Sequence, residues 1–275
     1  MGGSPTRRRI VLATLVAATL AATATVEAQI FLRNFRSTRI ASPADYDATF
    51  QFCRIMFTDN PNGDGGDWSV DWPRADINLS IRLSELTKTT VGRASAGAPN
   101  HLLMRLSDET LFRCPFIVMT EVGSVYISPT EAERLREYLL KGGFLWADDF
   151  WGPDAWDIWE NEIRKVLPAS EYQIVDVPLT HPLFRSQFEM KDGVPQISAV
   201  GNWVRGITSE RGALSADVHI RAIADKNDRI MVLITHNTDF GDSYEREGDN
   251  PDYFLECSVP GYAFGINTIL YAMTH

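Results

Sequence analysis

The segment from residue 115 to 167 most constrains the fold, because it alternates two short apolar runs with two helix patterns. The first run is Phe116-Ile117-Val118-Met119, which is typical of a strand covered on both faces. Residues 144–147 form the second run, and helices are predicted over residues 129–141 and 155–166. Strand, helix, strand, helix at this spacing predicts right-handed crossover units and therefore a mostly parallel sheet.

The first of these helices carries clear boundary signals. Ser128 is a favourable N-cap, Pro129 suits the first helical position, and Glu131 completes a capping box. Gly142 and Gly143 then end the helix. The stripe that faces the core is predicted at Ala132, Leu135, Tyr138 and Leu139.

Weaker patterns complete one α/β domain. Strands are predicted over residues 49–57, 172–175, 218–224 and 229–235, the last two as a hairpin, and helices over 76–87 and 262–272. Loops are predicted over 59–71 and 92–100. Neither a repeat nor a linker interrupts the pattern, so we predict an irregular arm over residues 29–48 and a single three-layer α/β domain over 49–275.

The N-terminus has the pattern of a targeting segment. Three arginines at positions 7–9 precede an apolar run over residues 10–24, and Val26-Glu27-Ala28 supplies a cleavage site. We expect residues 1–28 to be a signal peptide and the mature protein to be periplasmic or secreted. The arginines also fit a twin-arginine signal, so Sec and twin-arginine export both stay open. An uncleaved anchor and a first helix of the domain are the alternatives.

Charge limits the partners. The chain carries 26 Lys and Arg against 36 Asp and Glu, a net charge of −10. Without residues 1–28 it has 23 against 35, a net charge of −12. This acidity argues against nucleic acid and anionic membrane surfaces as partners, and no membrane span is expected after signal cleavage. Cations, a small polar ligand and an envelope protein are the partners that the charge leaves open.

The cysteines are Cys53, Cys114 and Cys257. An oxidising compartment permits one disulfide among three cysteines and leaves one thiol over. Because each cysteine has apolar neighbours, the sequence favours three buried free thiols.

Several segments together resemble a known family. They are residues 62–68, residues 128–150, His181-Pro182-Leu183-Phe184 and Gly265-Ile266-Asn267. Over residues 49–275 the chain resembles the bacterial domain-of-unknown-function family 4159, and Gly142-Gly143-Phe144-Leu145 with Asp148-Asp149-Phe150 is the most specific part. The resemblance implies a flavodoxin-like sandwich similar to class I glutamine amidotransferases. It implies no particular activity.

The amidotransferase nucleophile is missing from this sequence. Amidotransferases of the similar fold carry a cysteine on a Gly-flanked turn after a central strand, whereas residues 147–152 here read Ala-Asp-Asp-Phe-Trp-Gly. A Gly-x-Ser-x-Gly elbow is also missing from the sequence. We therefore favour a non-catalytic ligand-binding or protein-interaction module in the cell envelope. A metal-assisted hydrolase acting on a glycan or other envelope substrate is the alternative, so enzymatic activity is left open.

The candidate ligand-binding cleft follows from the rule that ligands bind outside the carboxyl ends of parallel strands. Asp148 and Asp149 end a predicted strand, and these residues with His181 are the catalytic candidates. An aspartate that caps the next helix and a histidine satisfied by local backbone are the structural alternatives. The predicted lining is Gly65, Gly66, Asp67, Trp68, Asp148, Asp149, Trp151 and His181.

Two segments could hold a divalent metal, the only cofactor we consider. His236, Asp239 and Asp242, with Glu245 nearby, follow the strand predicted over residues 229–235. Residues 60–71 partly fit a calcium loop, with Asp71 at the twelfth position, but Asn60 and Asp71 are poor choices at its two ends. A solvated loop and a glycine-rich turn are the respective alternatives.

Overall fold

The computed structural model describes residues 40–94 and 97–275. The predicted signal peptide and residues 29–39 of the predicted arm lie outside this part. The remainder of the arm contains one 3-10 turn, Pro43–Asp45, and Ala41 N donates to Leu103 O at the edge of the sheet. Among the described residues, no helix is both long and apolar enough to cross a membrane.

A seven-stranded sheet forms the centre of the domain. Its strands are β1 Phe52–Ile55, β3 His101–Met104, β4 Phe116–Thr120, β6 Phe144–Asp148, β7 Ile174–Asp176, β8 His219–Ala224 and β9 Ile230–His236. A separate antiparallel pair consists of β2 Thr58–Asp59 and β5 Val125–Tyr126. The helices are α1 Arg74–Leu86, α2 Pro129–Leu140, α3 Gly152–Val166, α4 Val200–Trp203, α5 Phe240–Glu245, α6 Pro251–Tyr253 and α7 Val259–Thr274. A π-helical segment, Phe254–Ser258, joins α6 to α7.

The strand order is β3-β1-β4-β6-β9-β8-β7. The first five strands in this order are parallel, while β8 runs antiparallel to both β9 and β7. The mostly parallel sheet expected from the crossover pattern is therefore confirmed. The chain runs from β1 outward to β3 and then returns to β4 on the other side of β1, so a topological switch point lies between β1 and β4.

Helices cover both faces of the sheet. On one face α2 and α3 pack against inward-facing side chains such as Ile117 and Leu145. On the other, α1 and α7 pack against Phe116 and Trp146. Alternation along β4 and β6 sends neighbouring side chains to opposite faces, which explains why both strands read as continuous apolar runs.

Two local predictions are confirmed in atomic detail. Ser128 Oγ accepts from Glu131 N, and Glu131 Oε2 accepts from Ser128 N at 3.0 Å, which completes the capping box at the start of α2. The predicted hairpin is formed by β8 and β9, and Asp225 N donates to Arg229 O across its turn.

The prediction of three free thiols is wrong. Cys53 and Cys114 form a disulfide with a Cα–Cα distance of 6.4 Å, and only Cys257 is a free, buried thiol. Cys53 lies in β1 and Cys114 lies two residues before β4, which is the neighbouring strand. Strand adjacency brings the two together, and apolar neighbours in the sequence carry no information about that pairing.

Candidate functional site

Carboxylates gather at the carboxyl edge of the parallel strands. Glu121 follows β4, Asp149 follows β6, and Asp239 follows β9 by three residues. The register pairs Thr120 with Asp148, and Ala147 with Ile234, so these three strands end at the same edge. We call the resulting group the acidic cluster. Its members are Asp71, Glu121, Asp149, Asp239, Asp242 and Glu245.

The acidic cluster contains two sets of oxygen atoms spaced closely enough to share a cation. One set comes from Asp71, Asp149 and Asp239, and the other from Asp71, Asp242 and Glu245. Within each set the candidate ligand atoms lie within 4.8 Å of one another. Asp71 belongs to both sets, so it is the centre of the cluster.

The carboxylate of Asp71 is poorly satisfied. Its Oδ2 atom is buried and has no hydrogen-bond partner among the described residues. Burial, and then repulsion from Asp242, raise the pKa of Asp71 well above its ordinary value, although Arg54 acts in the opposite direction. A buried carboxylate in such surroundings is costly unless it takes up a proton or meets a cation.

Asp149 and Glu121 form a coupled pair beside Asp71. Their negative charges repel each other, so ionisation of one carboxyl group disfavours ionisation of the other. Burial and the nearby Asp64 raise the pKa of Glu121 to about 8. Burial, followed by the charge of Glu121, raises the pKa of Asp149 well above its ordinary value. Trp151 Nε1 donates to Asp149 Oδ1 at 3.0 Å and fixes the orientation of that carboxylate.

Left-handed backbone conformations concentrate at the same edge. Asp71 (φ 60°), Glu121 (φ 54°), Asp149 (φ 56°) and Asn237 (φ 63°) all adopt them without being glycine. Residues held in such conformations cost about 1–3 kcal/mol each and concentrate at functional sites. The turns after three neighbouring strands are therefore built to aim side chains at one place.

Asp148 has a different role from its neighbour. Its Oδ1 accepts from the Thr235 hydroxyl and its Oδ2 accepts from Phe240 N at 3.0 Å, so it fixes the first residue of α5. Burial raises its pKa to about 7. α5 in turn carries Asp242, whose N–H donates to Asp239 Oδ1 at 2.7 Å. Asp148 is therefore a positioning residue for the part of the cluster that follows β9.

A buried ion pair positions the loop that carries Asp71. Arg54 in β1 pairs with Asp76 in α1, and both side chains are almost completely buried. The Arg54 guanidinium also donates through Nη1 to the carbonyl oxygens of Trp68 and Val70, each at 3.1 Å. The loop from residue 68 to 71 is thereby tied to the central sheet.

Several predicted lining residues lie at or next to the cluster. Asp149 is a member and Trp151 is buried against it, while Asp239 and Asp242, which were predicted as metal ligands, are also members. Because it is buried, Trp151 supports the Asp149 carboxylate and does not line an exposed cleft. Gly66 packs directly on Glu121, because a Cβ there would lie 2.2 Å from Glu121 Cδ.

The other predicted loop residues make local contacts. Gly65 N donates to Ser124 Oγ at 3.1 Å, and Asp67 Oδ1 accepts from both the N–H and the hydroxyl of Ser69. Trp68 contributes its carbonyl to Arg54 while its side chain packs against the core. These residues shape the loop and do not join the carboxylates.

The structure places both candidate histidines outside the cluster. His181 Nδ1 accepts from Leu183 N, and its ring lies 5.3 Å from that of Tyr271, whose hydroxyl accepts from Ile230 N at the amino end of β9. His236 Nε2 donates to Gly152 O at 3.0 Å on the face covered by α3. Burial lowers the pKa of His236 to about 4.

The calcium-loop pattern is not realised as one site. Asp64 Oδ1 accepts from Ser124 Oγ at 2.8 Å, and Asn60 Oδ1 accepts from Asn62 N. Asp71, the twelfth residue of that pattern, instead joins carboxylates from β6 and β9. Glu121 was not singled out by sequence, although its position directly after the apolar run of β4 could have identified it.

The donor set of the cluster is made of oxygen atoms alone. Such a set suits hard divalent cations such as Mg²⁺, Mn²⁺ and Ca²⁺, whereas Zn²⁺ sites usually include histidine or cysteine. The cluster lies at the carboxyl edge of the parallel strands, the usual place for ligands in open α/β sheets.

Comparison with known proteins gives a family and no activity. Curated proteins include no match to this chain. A family model described as a domain of unknown function (DUF4159) matches residues 53–273, which include every residue of the acidic cluster. The chain belongs to this family of unknown function.

Proposed function

We propose that this protein binds a hard divalent cation in the acidic cluster and uses it to hold a polar ligand of the cell envelope. The proposal rests above all on Asp71, whose buried Oδ2 has no hydrogen-bond partner and whose carboxylate lies within reach of Asp149 and Asp239. A cation supplies the partner that Asp71 lacks.

Electrostatics supports a cation in preference to a set of neutral carboxyl groups. Burial and mutual repulsion raise the pKa of Asp71, Asp149 and Asp239 well above ordinary values. Without a cation these groups must take up protons or repel one another. A divalent ion relieves both costs, and at a concentration of 100 times its dissociation constant a ligand stabilises a protein by about 2.7 kcal/mol.

The scaffold we propose is that of the class I glutamine amidotransferases. The parallel strands follow the doubly wound order with a switch point next to β1, which supports this assignment. At the end of the central strand β6, Asp149 occupies a left-handed turn where the similar enzymes carry a cysteine. A carboxylate at this place suits cation binding, and it cannot act as the thiolate nucleophile.

We also propose that the protein is exported to the periplasm or secreted. The Cys53–Cys114 disulfide supports this location, because disulfides persist in oxidising compartments. The arginines and apolar run at the N-terminus of the sequence support it independently.

The experiment is cation binding to the purified protein after treatment with EDTA. We expect Mn²⁺, Mg²⁺ or Ca²⁺ to raise the melting temperature and to give a binding isotherm in calorimetry. Asp71→Asn should abolish both responses. Asp157→Asn, which alters an exposed carboxylate on α3, is the matched control and should respond as wild type. A wild type that binds none of these ions, or an Asp71→Asn variant that binds as wild type does, would falsify the proposal.

A metal-assisted hydrolase is the second candidate, favoured by the Glu121–Asp149 pair. Burial raises the pKa of both groups, which suits one of them to act as an acid or base beside the proposed cation site. His181 takes no part in this version, because it packs against Tyr271.

Hydrolysis is tested separately from binding. Purified protein with Mn²⁺ is incubated with peptidoglycan fragments and with nitrophenyl glycosides, esters and phosphates, and the released products are measured. Hydrolysis that is lost in Glu121→Gln while Mn²⁺ binding persists would support this candidate. If wild type releases no product from any of them, the non-catalytic module stands.

A further inference from the structure

The position of Asp71 in both oxygen sets suggests more than one cation. Building on the proposed function, we infer that the acidic cluster holds two hard divalent cations, with Asp71 as a bridging ligand. Asp149 and Asp239 complete the first position, while Asp242 and Glu245 complete the second.

The geometry of the sets supports a shared site. One carboxylate has two oxygen atoms, so Asp71 is able to present one to each cation. Because the oxygens of each set lie within 4.8 Å of one another, both cations would lie beside the same side chain. Carboxylate-bridged pairs of this kind have a metal–metal separation of about 3.5–4 Å. The buried Oδ2 of Asp71, unpartnered among the described residues, is an oxygen that needs such a partner.

The two cation positions differ in whether a salt bridge already neutralises part of the negative charge of their carboxylates. Asp149 and Asp239 are 3% and 5% exposed and form no salt bridge in the described part of the chain. In the second position, Arg246 Nε lies 2.8 Å from Glu245 Oε2 and 3.4 Å from Asp242 Oδ1. Arg246 therefore supplies positive charge close to where the second cation would lie.

This asymmetry predicts an order of binding. Arg54 acts on Asp71, which both positions share, whereas Arg246 acts on the second position alone, so the first position fills first. The second cation must displace Arg246, whose side chain is 41% exposed and has room to turn toward solvent. The second cation is therefore bound more weakly, and removal of the Arg246 charge should strengthen its binding.

The probe is Mn²⁺ alone, added to the EDTA-treated protein. We expect calorimetry to give two Mn²⁺ per chain, and electron paramagnetic resonance to show the exchange-coupled signal of a manganese pair. Glu245→Gln should leave one Mn²⁺ with an uncoupled signal. Arg246→Gln should tighten the second binding step about two- to fivefold, the range for a partly exposed ion pair. Arg185→Gln, at another exposed arginine, is the matched control.

The outcomes separate this inference from the proposed function. One Mn²⁺ per chain in both wild type and Arg246→Gln overturns the two-cation site and leaves the first position intact. Two Mn²⁺ with an uncoupled signal overturns the bridging role of Asp71. No binding in wild type overturns both proposals.

Discussion

Gly241 lies directly against the carboxylate of Asp71. A Cβ placed on Gly241 would lie 2.1 Å from Asp71 Oδ2 and 3.3 Å from Asp239 Oδ1. Gly241 is the second residue of α5, where its backbone is helical and any residue could adopt the same conformation. Glycine is needed here because a side chain at this position would occupy the space of the Asp71 and Asp239 carboxylates.

The first prediction concerns Gly241→Ala. The added methyl group should push Asp71 away from Asp239 and lower the affinity for Mn²⁺ at least tenfold. The clash should lower the stability of the cation-free protein. Alanine favours a helix by about 1 kcal/mol over glycine, so this gain should offset part of the loss. Calorimetry with Mn²⁺ and urea unfolding in EDTA measure the two effects.

Gly201→Ala is the control for this substitution. Gly201 also lies in a short helix, α4, but a Cβ there meets nothing within 4 Å. Its Mn²⁺ affinity should equal that of wild type. If Gly241→Ala also binds like wild type, the contact with Asp71 has no bearing on cation binding.

The second prediction is that Asp71→Asn stabilises the cation-free protein. The substitution removes a charge that repels Asp242 and Asp149 and keeps the size of the side chain. We expect the free energy of unfolding in EDTA at pH 8 to rise by about 1 kcal/mol, a typical effect of relieving partly buried like charges. Urea unfolding checks this, and a loss of stability would contradict the repulsion inferred for Asp71.

The sequence predicted those parts of the fold that depend on neighbouring residues. The capping box at Ser128, the end of α2 and the hairpin before Arg229 are set by contacts a few residues apart, and all are present. The strand β3 was missed because its short apolar run has no alternating pattern and is too short to separate a strand from a helix. The disulfide was missed because it depends on which strands become neighbours.

The candidate site was predicted only in part, for the same physical reason. Asp149 and Asp239 were found because they follow strands, and parallel strands end at one edge. Asp71 joins them through a loop held by Arg54, which reaches carbonyl groups 14 and 16 residues away. His181 also follows a strand, yet it packs against Tyr271 near the end of the chain. Such contacts depend on the tertiary fold, which local patterns do not specify.

The third prediction is a loss of stability in acid that depends on His236. Burial lowers its pKa to about 4 in the folded protein, against 6.5 in the unfolded chain. Between these pH values the unfolded chain binds more protons than the folded protein does. The stability that depends on neutral His236 is therefore fully present above pH 6.5 and is lost as the pH falls toward 4. The loss of stability is at most about 3 kcal/mol. The Nδ1 atom of His236 is buried and has no hydrogen-bond partner among the described residues. A proton added to this atom would therefore have no acceptor.

His236→Gln isolates this effect, because glutamine still has an N–H group for Gly152 O. Urea unfolding of both proteins from pH 8 to 4.5 gives the difference in stability, in which the contributions of the carboxyl groups cancel. We expect wild type to lose stability relative to His236→Gln as the pH falls below 6.5. A difference that does not vary with pH would show that His236 is protonated as easily in the folded protein as in the unfolded chain.

The fourth prediction concerns the disulfide. Cys53 and Cys114 are 61 residues apart, and closing a loop of that length in the unfolded chain corresponds to about 4 kcal/mol of stability. Reduction with dithiothreitol should therefore lower the free energy of unfolding by up to this amount.

Thiol titration of the denatured protein should give one thiol per chain before reduction, from Cys257, and three after it. Three thiols before reduction, in protein recovered from an oxidising compartment, would contradict the bridge.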